Sequence, residues 1–302
     1  LNRPTPFSGR DLGLVTLVCL AWGCNFLTSA AALRELPPLL FTALRMAVLG
    51  AVLLPWTRRP PRQQWPLLIA VVMCNVVLHF GLSFWSLKLA GDLASPAIVM
   101  QSYVPMAVLL AWWLRGERFA WRTGLAILVS FAGILVLGFD PIVLDNPQSL
   151  LLMLASAAFL AVGTVLMRGL SGIDALAMQG WSAWIGLPPL LVWSALVEPD
   201  GLHAVANAGW ITWVGVAWAA LVASLLGHSL FFQLVQKHPV AQIAPYLLMA
   251  PIVAILLGVF VWGDRPGPRL WIGGAMVLGG VLAIALRTLA KQRVVATAPS
   301  EI

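Results

Sequence analysis

The sequence predicts an all-α integral membrane protein of ten transmembrane helices, built as two five-helix inverted repeats with both termini cytoplasmic. Three observations carry that prediction. The 302 residues are 61% hydrophobic and only 10% charged, with mean hydropathy +0.93. A soluble domain carries roughly a quarter charged residues, and so little polarity cannot cover a water-facing surface. The apolar residues gather into runs of about 20, the length that crosses a hydrocarbon core. Residues of the first half also recur, in the same order, in the second.

The runs follow one another with turn or helix-stopping chemistry between most of them. The first, 12–32, is followed by many others and reads as a span rather than a signal peptide; Pro37-Pro38 follows it. The second, 38–57, stops at Arg58-Arg59-Pro60-Pro61-Arg62, and the third is 65–88. The fourth, 93–115, ends at Gly116-Glu117-Arg118, and the fifth, 121–139, at Asp140-Pro141. The sixth, 149–168, is closed by Ser171-Gly172, and the seventh, 174–197, by Glu198-Pro199-Asp200-Gly201. The eighth, 210–236, meets His238-Pro239; the ninth, 240–262, precedes Arg265-Pro266-Gly267-Pro268; the tenth is 270–290. The domains are then a first repeat at 12–139, a second at 149–290 and a cytoplasmic tail at 291–302.

Orientation follows from Lys and Arg in the short loops. One side takes 13 of the 18, among them Arg10, Arg58, Arg59, Arg62, Arg115, Arg118, Arg122 and Arg168. The other takes Arg34, Lys88, Arg265 and Arg269, and Arg45 stays inside a span. The positive-inside rule puts the first side, with both termini, in the cytoplasm. The net charge of +7 is therefore a topology signal and not a nucleic-acid surface. Cys19, Cys24 and Cys74 lie within apolar runs and read as small packing residues.

The repeat rests on paired residues. Gly116-Glu117-Arg118 is matched by Gly263-Asp264-Arg265, Pro105 by Pro251, and Gly133 by Gly280. Asn75-x3-His79-x8-Lys88 is matched by Ser224-x3-His228-x8-Lys237. Because five crossings are an odd number, the second half starts on the opposite face. That is the inverted-repeat plan of many secondary transporters, with the site between the halves.

Ala21-Trp22-Gly23-x-Asn25-Phe26, Gly116-Glu117-Arg118, Gly263-Asp264-Arg265 and the stretch from Gly227-His228 through Lys237 to Ala244-Pro245 resemble the EamA-type branch of the drug/metabolite transporter superfamily. The resemblance spans about residues 12–290 and is poorly specific for substrate. It implies a central cavity lined by spans 1–4 and 6–9, with spans 5 and 10 peripheral. Members it resembles include exporters of cysteine-pathway metabolites and YddG-like exporters of aromatic amino acids. Asp264 stands where such proteins often have Glu, a change that leaves the fold unaffected.

Candidate substrate-binding residues follow from polarity and aromaticity inside the spans. His79 and His228 are either cavity-lining or neutral packing histidines. Asn75 and Ser224 precede them by one helical turn, on the same face, and serve a wet seam or helix–helix hydrogen bonding. Trp22, Asn25 and Ser29 form a stripe, as do Gln101 with Pro105 and Gln242 with Tyr246; Tyr103 joins the same group. Trp85, Trp181 and Trp184 lie deep enough to stack on a solute or to pack, whereas Trp56, Trp65, Trp121, Trp210 and Trp271 belong to interfacial belts. Pro105 and Pro251 interrupt their helices and read as hinges or static kinks. Glu117, Arg118, Asp264 and Arg265 sit at boundaries suited to capping or gating. Arg45 reads as snorkelling or bonding to backbone carbonyls, with a substrate carboxylate as the other reading.

No span holds a central Asp or Glu, so a neutral, zwitterionic or amphipathic solute fits better than a fixed cation. The four histidines are scattered, and no nucleophile–base pair or metal cluster is present. We therefore expect no enzyme, catalytic residue, metal or cofactor. The expected function is secondary export of amino acids (aromatic or cysteine-pathway type) or related metabolites by alternating access, with export of drugs or nucleotide-like or amphipathic compounds as the alternative. The expected partners are a small-molecule substrate and the lipid bilayer, without nucleic acid, in a bacterial inner (plasma) membrane. A monomer is compatible with the sequence, and the oligomeric state stays open.

Overall fold

The computed structural model describes residues 8–238 and 240–297, and no strand occurs among them. Ten helices are long and apolar enough to cross a membrane: α1 (Gly9–Ala32), α2 (Pro38–Trp56), α3 (Arg62–Ala90), α4 (Ala94–Arg115), α5 (Trp121–Gly138), α6 (Pro147–Met167), α7 (Ala175–Val197), α8 (Trp210–Lys237), α9 (Gln242–Trp262) and α10 (Pro268–Ala290). The α10 helix runs on to Thr297, so the segment set apart as a tail begins inside it. Pro239, Arg3 and residues 298–302 lie outside the described residues. The link before α6 contains the short helix Pro141–Leu144, where Asp140 caps Ile142 and Pro141 takes the first position.

Side chains as apolar as Leu128, Leu196, Phe260 and Trp113 cover the outside of the bundle, the surface that lipid meets. Trp56, Trp121, Trp210 and Trp271 are exposed near helix ends. Trp65, near the start of its span, is half-buried, with its ring edge-on to that of Trp181 at 4.7 Å.

Inside, α1 packs on α8 and α9, and α6 packs on α3 and α4; α2 pairs with α7, and α5 with α10. Small residues permit the last crossing. A Cβ on Gly133 would meet the Gly273 carbonyl at 2.6 Å, and one on Gly273 would meet the Gly133 carbonyl at 2.5 Å. Only glycine allows the backbones to come so close, the usual device where helices lack a hydrophobic drive to associate.

Three irregularities recur in the two halves. A π-helical segment, Met73–Leu78 in α3, stops at the residue before His79, and another, Trp218–Gly227 in α8, stops at the residue before His228. A π turn is rare and often marks a functional position. The α4 helix breaks at Gln101-Ser102 and α9 at Leu248, and Pro105 and Pro251 are each the third residue after the break. A proline has no N–H and its ring collides with the carbonyl four residues back. The chain responds by tightening, with Ser102 N–H on Val99 O and Val104 N–H on Gln101 O, at 3.0 and 3.1 Å. Finally, α4 and α9 end on Gly116 and Gly263 with φ of 64° and 90°, left-handed values that glycine adopts without strain.

Candidate functional site

The π segment of α8 builds the centre of the site. It carries the Ser224 hydroxyl to the carbonyl five residues back, so Ser224 Oγ donates to Ala219 O at 2.7 Å. With its proton committed, that oxygen faces α2 as an acceptor. Arg45 Nε and Nη2 both donate to it, at 2.9 and 2.8 Å. The guanidinium lies 4.0 Å over the Phe80 ring and 5.6 Å from Phe84, both on α3. Arg45 is 2% exposed. It therefore neither snorkels to a surface nor bonds to backbone carbonyls, because a hydroxyl and an aromatic face are within its reach at mid-helix.

One turn beyond Ser224, His228 Nδ1 lies 3.0 Å from the Ser224 carbonyl. Its ring is 5.3 Å from that of Trp22, whose Nε1 donates to Ala223 O at 3.0 Å. Phe231 completes this aromatic group at 5.8 Å from Trp22. Asn25 and Ser29 continue the α1 stripe, and both Asn25 Oδ1 and Ser29 Oγ are buried without a hydrogen-bond partner. The structure thus gathers Trp22, Ser224 and His228 with Arg45 where α1 and α2 meet α8, with Phe80 of α3 against the guanidinium, and Asn25 stands one turn from Trp22 on α1.

Other expected residues stand elsewhere. His79 is 4% exposed and faces α6. Ser156 Oγ donates to its carbonyl at 2.9 Å, so the same oxygen accepts from His79 Nδ1 at 2.8 Å, which fixes the tautomer by the network. Asn75 is pressed against Gly163 of α6. Both sit in the α3–α6 contact. Trp85 leans on Trp193 of α7 at 6.4 Å between ring centroids. Trp184 packs on Gly50 of α2. Trp181 donates to Arg58 O at 2.8 Å, at the face carrying the termini. Tyr246 joins Val15, Cys19 and Ile243 between α1 and α9, beside buried Gln242. Gln101 and Tyr103 flank the α4 break and are half-buried.

The boundary residues divide by face. Opposite the termini, carboxylates cap helices other than their own. Asp264 accepts from Leu93 N and Ala94 N of α4, at 2.9 and 3.2 Å. Glu198 accepts from Leu39 N and Leu40 N of α2, at 2.9 and 3.0 Å. Glu35 accepts from Gly209 N and Thr212 Oγ1 of α8, at 2.7 and 2.6 Å, and Asp140 from Leu270 N of α10 at 2.9 Å. Each anion meets the positive end of a helix dipole. Hydrogen bonds from Thr212 and Gly209 hold the Glu35 carboxyl below its ordinary range. Burial dominates at Asp92, which is pushed up to about 6 despite bonds from Ser95 and has Asp264 as a like-charged neighbour. Burial also raises Asp264, against the two α4 amides. Glu117, its counterpart on the other face, pairs with Arg168 at 2.8 Å with both side chains 51% exposed. Arg118 and Arg265 are exposed there and on the opposite face, respectively.

The model of the EamA-like transporter family matches residues 12–139 and 148–286. The chain belongs to the EamA-like transporter family. Among relatives, a probable amino-acid metabolite efflux pump of Escherichia coli (strain K12) is 22% identical over 91% of this chain and 94% of its own length. The uncharacterized inner membrane transporter YedA of the same strain is 23% identical over 92% and 90%. A solved structure titled only "Crystal structure of protein" shares the fold, with TM-score 0.63 and 22% identity over 95% of this chain and 99% of that one. This EamA-like protein is a multi-pass bacterial inner membrane transporter and not an enzyme.

Sequence reading undervalued Arg45 and gave no role to Phe80, Phe84 or Ser156. The available signal for Arg45 was its isolation, as the lone strong cation inside a span. The cross-helix caps were signalled by carboxylates gathered on the face where α2, α4, α8 and α10 begin.

Proposed function

We propose that the protein exports amino acids, of aromatic or cysteine-pathway type, or related small metabolites by alternating access through the seam between two inverted halves. The carrying observation is the cluster Trp22–His228–Ser224–Arg45, which joins α1 and α2 of one half to α8 of the other by rings and hydrogen bonds inside the spans. The packing of α1 on α8 and α9 is the image of α6 on α3 and α4, while α2–α7 and α5–α10 map onto themselves. That pattern supports a two-fold relation in the membrane plane, with the termini cytoplasmic and α5 and α10 peripheral. Such a relation supplies two states of similar energy, one open to each side.

The helix irregularities supply the moving parts. Pro105 and Pro251 weaken α4 and α9 in corresponding places, and the breaks before them are hinges that cost few backbone hydrogen bonds to bend. Asp264, Glu198 and Glu35 form the outer gate by tying helix starts across the bundle, and Glu117, ion-paired with Arg168, belongs with Arg118 to the inner gate. The name of the Escherichia coli relative, probable amino-acid metabolite efflux pump, supports the substrate class. Purified protein in liposomes, offered a panel of amino acids with and without an imposed pH gradient, tests the proposal. Saturable flux of at least one amino acid is expected, and flux of none removes the substrate assignment. A dependence on the gradient assigns proton exchange; indifference assigns facilitated diffusion.

A further inference from the structure

Arg45 is a buried cation with no anionic partner. It is 2% exposed, no carboxylate pairs with it, and the described Asp and Glu residues all lie at helix ends or in loops. A guanidinium has five N–H donors in a planar fork. Ser224 takes the Nε–H and one Nη2–H, so the side edge of the fork is filled. Phe80 covers one face. What remains is the end of the fork, Nη1 with the second Nη2 proton, and Nη1 has no hydrogen-bond partner although it is buried. An intramembrane arginine is costly to bury and ordinarily finds a partner. Here the protein contributes a hydroxyl and a ring, which orient the fork without neutralising it.

We propose that the Nη1–Nη2 end of Arg45 binds the carboxylate of the transported solute, so that the substrate itself is the missing counter-ion. This rests on the reading of the seam as the substrate path. End-on geometry suits a carboxylate, whose two oxygens match two parallel N–H groups. Ser224 is the positioning residue. Because its own proton is held by the Ala219 carbonyl of the π segment, its oxygen faces only the guanidinium, and the fork cannot swing away without losing two bonds. The aromatic group of Trp22, His228 and Phe231 adjoins the same stretch of α8, with His228 one turn from Ser224 and Trp22 on the Ala223 carbonyl, and is the nearest apolar surface for the rest of a small amino acid.

The full chain in proteoliposomes tests this with amino acids against their carboxamides, which keep the side chain and amino group and lose the anion. Charge-assisted hydrogen bonds contribute about 1.5–3 kcal/mol, so the acid should be preferred by at least about tenfold in half-saturation. Arg45→Gln should abolish the preference, bringing the acid-to-amide ratio of half-saturation to about one. Arg45→Lys should retain part of it, and Ser224→Ala should reduce it several-fold. A purely structural Arg45 would lower acid and amide flux together and leave their ratio intact, and that result overturns the proposal. Equal handling of acid and amide by the unaltered protein also overturns it and needs no variant to fold. Flux of neither class overturns the export reading itself, whereas flux of both without preference overturns only the role of Arg45.

Discussion

The indole of Trp22 and the imidazole of His228 lie 5.3 Å apart with planes inclined by 54°, joining the first helix of one half to the eighth helix in the other. The Trp22 Nε1–H also reaches Ala223 O, at 3.0 Å, inside the π segment that ends beside His228. The contact unites the α1 stretch around Trp22 with an irregularity in α8. It marks the seam as a place where order is set by side chains as well as by packing.

Replacing Trp22 separates these contributions. Trp22→Phe keeps a ring and loses the N–H bond, and should cost about 1 kcal/mol. Trp22→Ala should cost about 3–5 kcal/mol, the range for truncating a large aromatic. Thermal unfolding in detergent reads both. His228→Ala should leave insertion intact and lower flux, and unchanged flux would remove His228 from the path.

Asp264 and Glu117 are related by the repeat but differ in environment. Asp264→Ala leaves two α4 amides without their acceptor and should destabilise the protein by about 1–3 kcal/mol. Glu117→Ala removes an exposed ion pair and should shift stability by less than about 1 kcal/mol. Equal effects on the melting temperature would contradict the difference drawn between the two faces.

Asp92 gives the face opposite the termini a pH dependence. Its carboxyl is raised from 3.8 to about 6 by burial, with Asp264 adding to the shift, so the folded state holds a proton that the unfolded state has already released. Stability is therefore greatest below the unfolded value and falls as pH rises from about 4 through 6. Asp92→Asn should flatten that decline in melting temperature between pH 4 and 7. A decline of the same size in the variant would assign it to other groups.

The α5–α10 crossing provides a control away from the seam. Gly273→Leu must displace the Gly133 backbone and should lower stability by about 1–3 kcal/mol or more through overpacking. Where such a variant still folds, the ratio of fluxes among amino acids should not change. A changed ratio would bring α10 into the substrate path.

The number of apolar helices and the bundle class were legible because both follow from hydropathy, and hydropathy is a property of local sequence. Paired landmarks were legible too: Gly116 and Gly263 do end their helices with positive φ. The π segments before His79 and His228 were not, since Met73–Leu78 and Trp218–Gly227 have compositions that serve an α-helix equally well. Helix faces were legible only as far as periodicity goes. Asn75 and His79 lie on one stripe, yet that stripe meets α6 through Gly163 and Ser156. Which neighbour covers a face is decided by tertiary packing. Arg45 was ambiguous for the same reason, because Ser224 is distant in sequence and reaches it only through the α2–α8 contact.

Substrate-protected labelling at position 25 tests the central claim most directly. Asn25→Cys would be placed in a chain whose Cys19, Cys24 and Cys74 are replaced, then reconstituted and treated with a small membrane-impermeant thiol reagent from each side. Alternating access through the seam predicts modification from either side, slowed by a transported amino acid. A thiol that stays unmodified from both sides during active transport, or is modified at a rate indifferent to substrate, would contradict it.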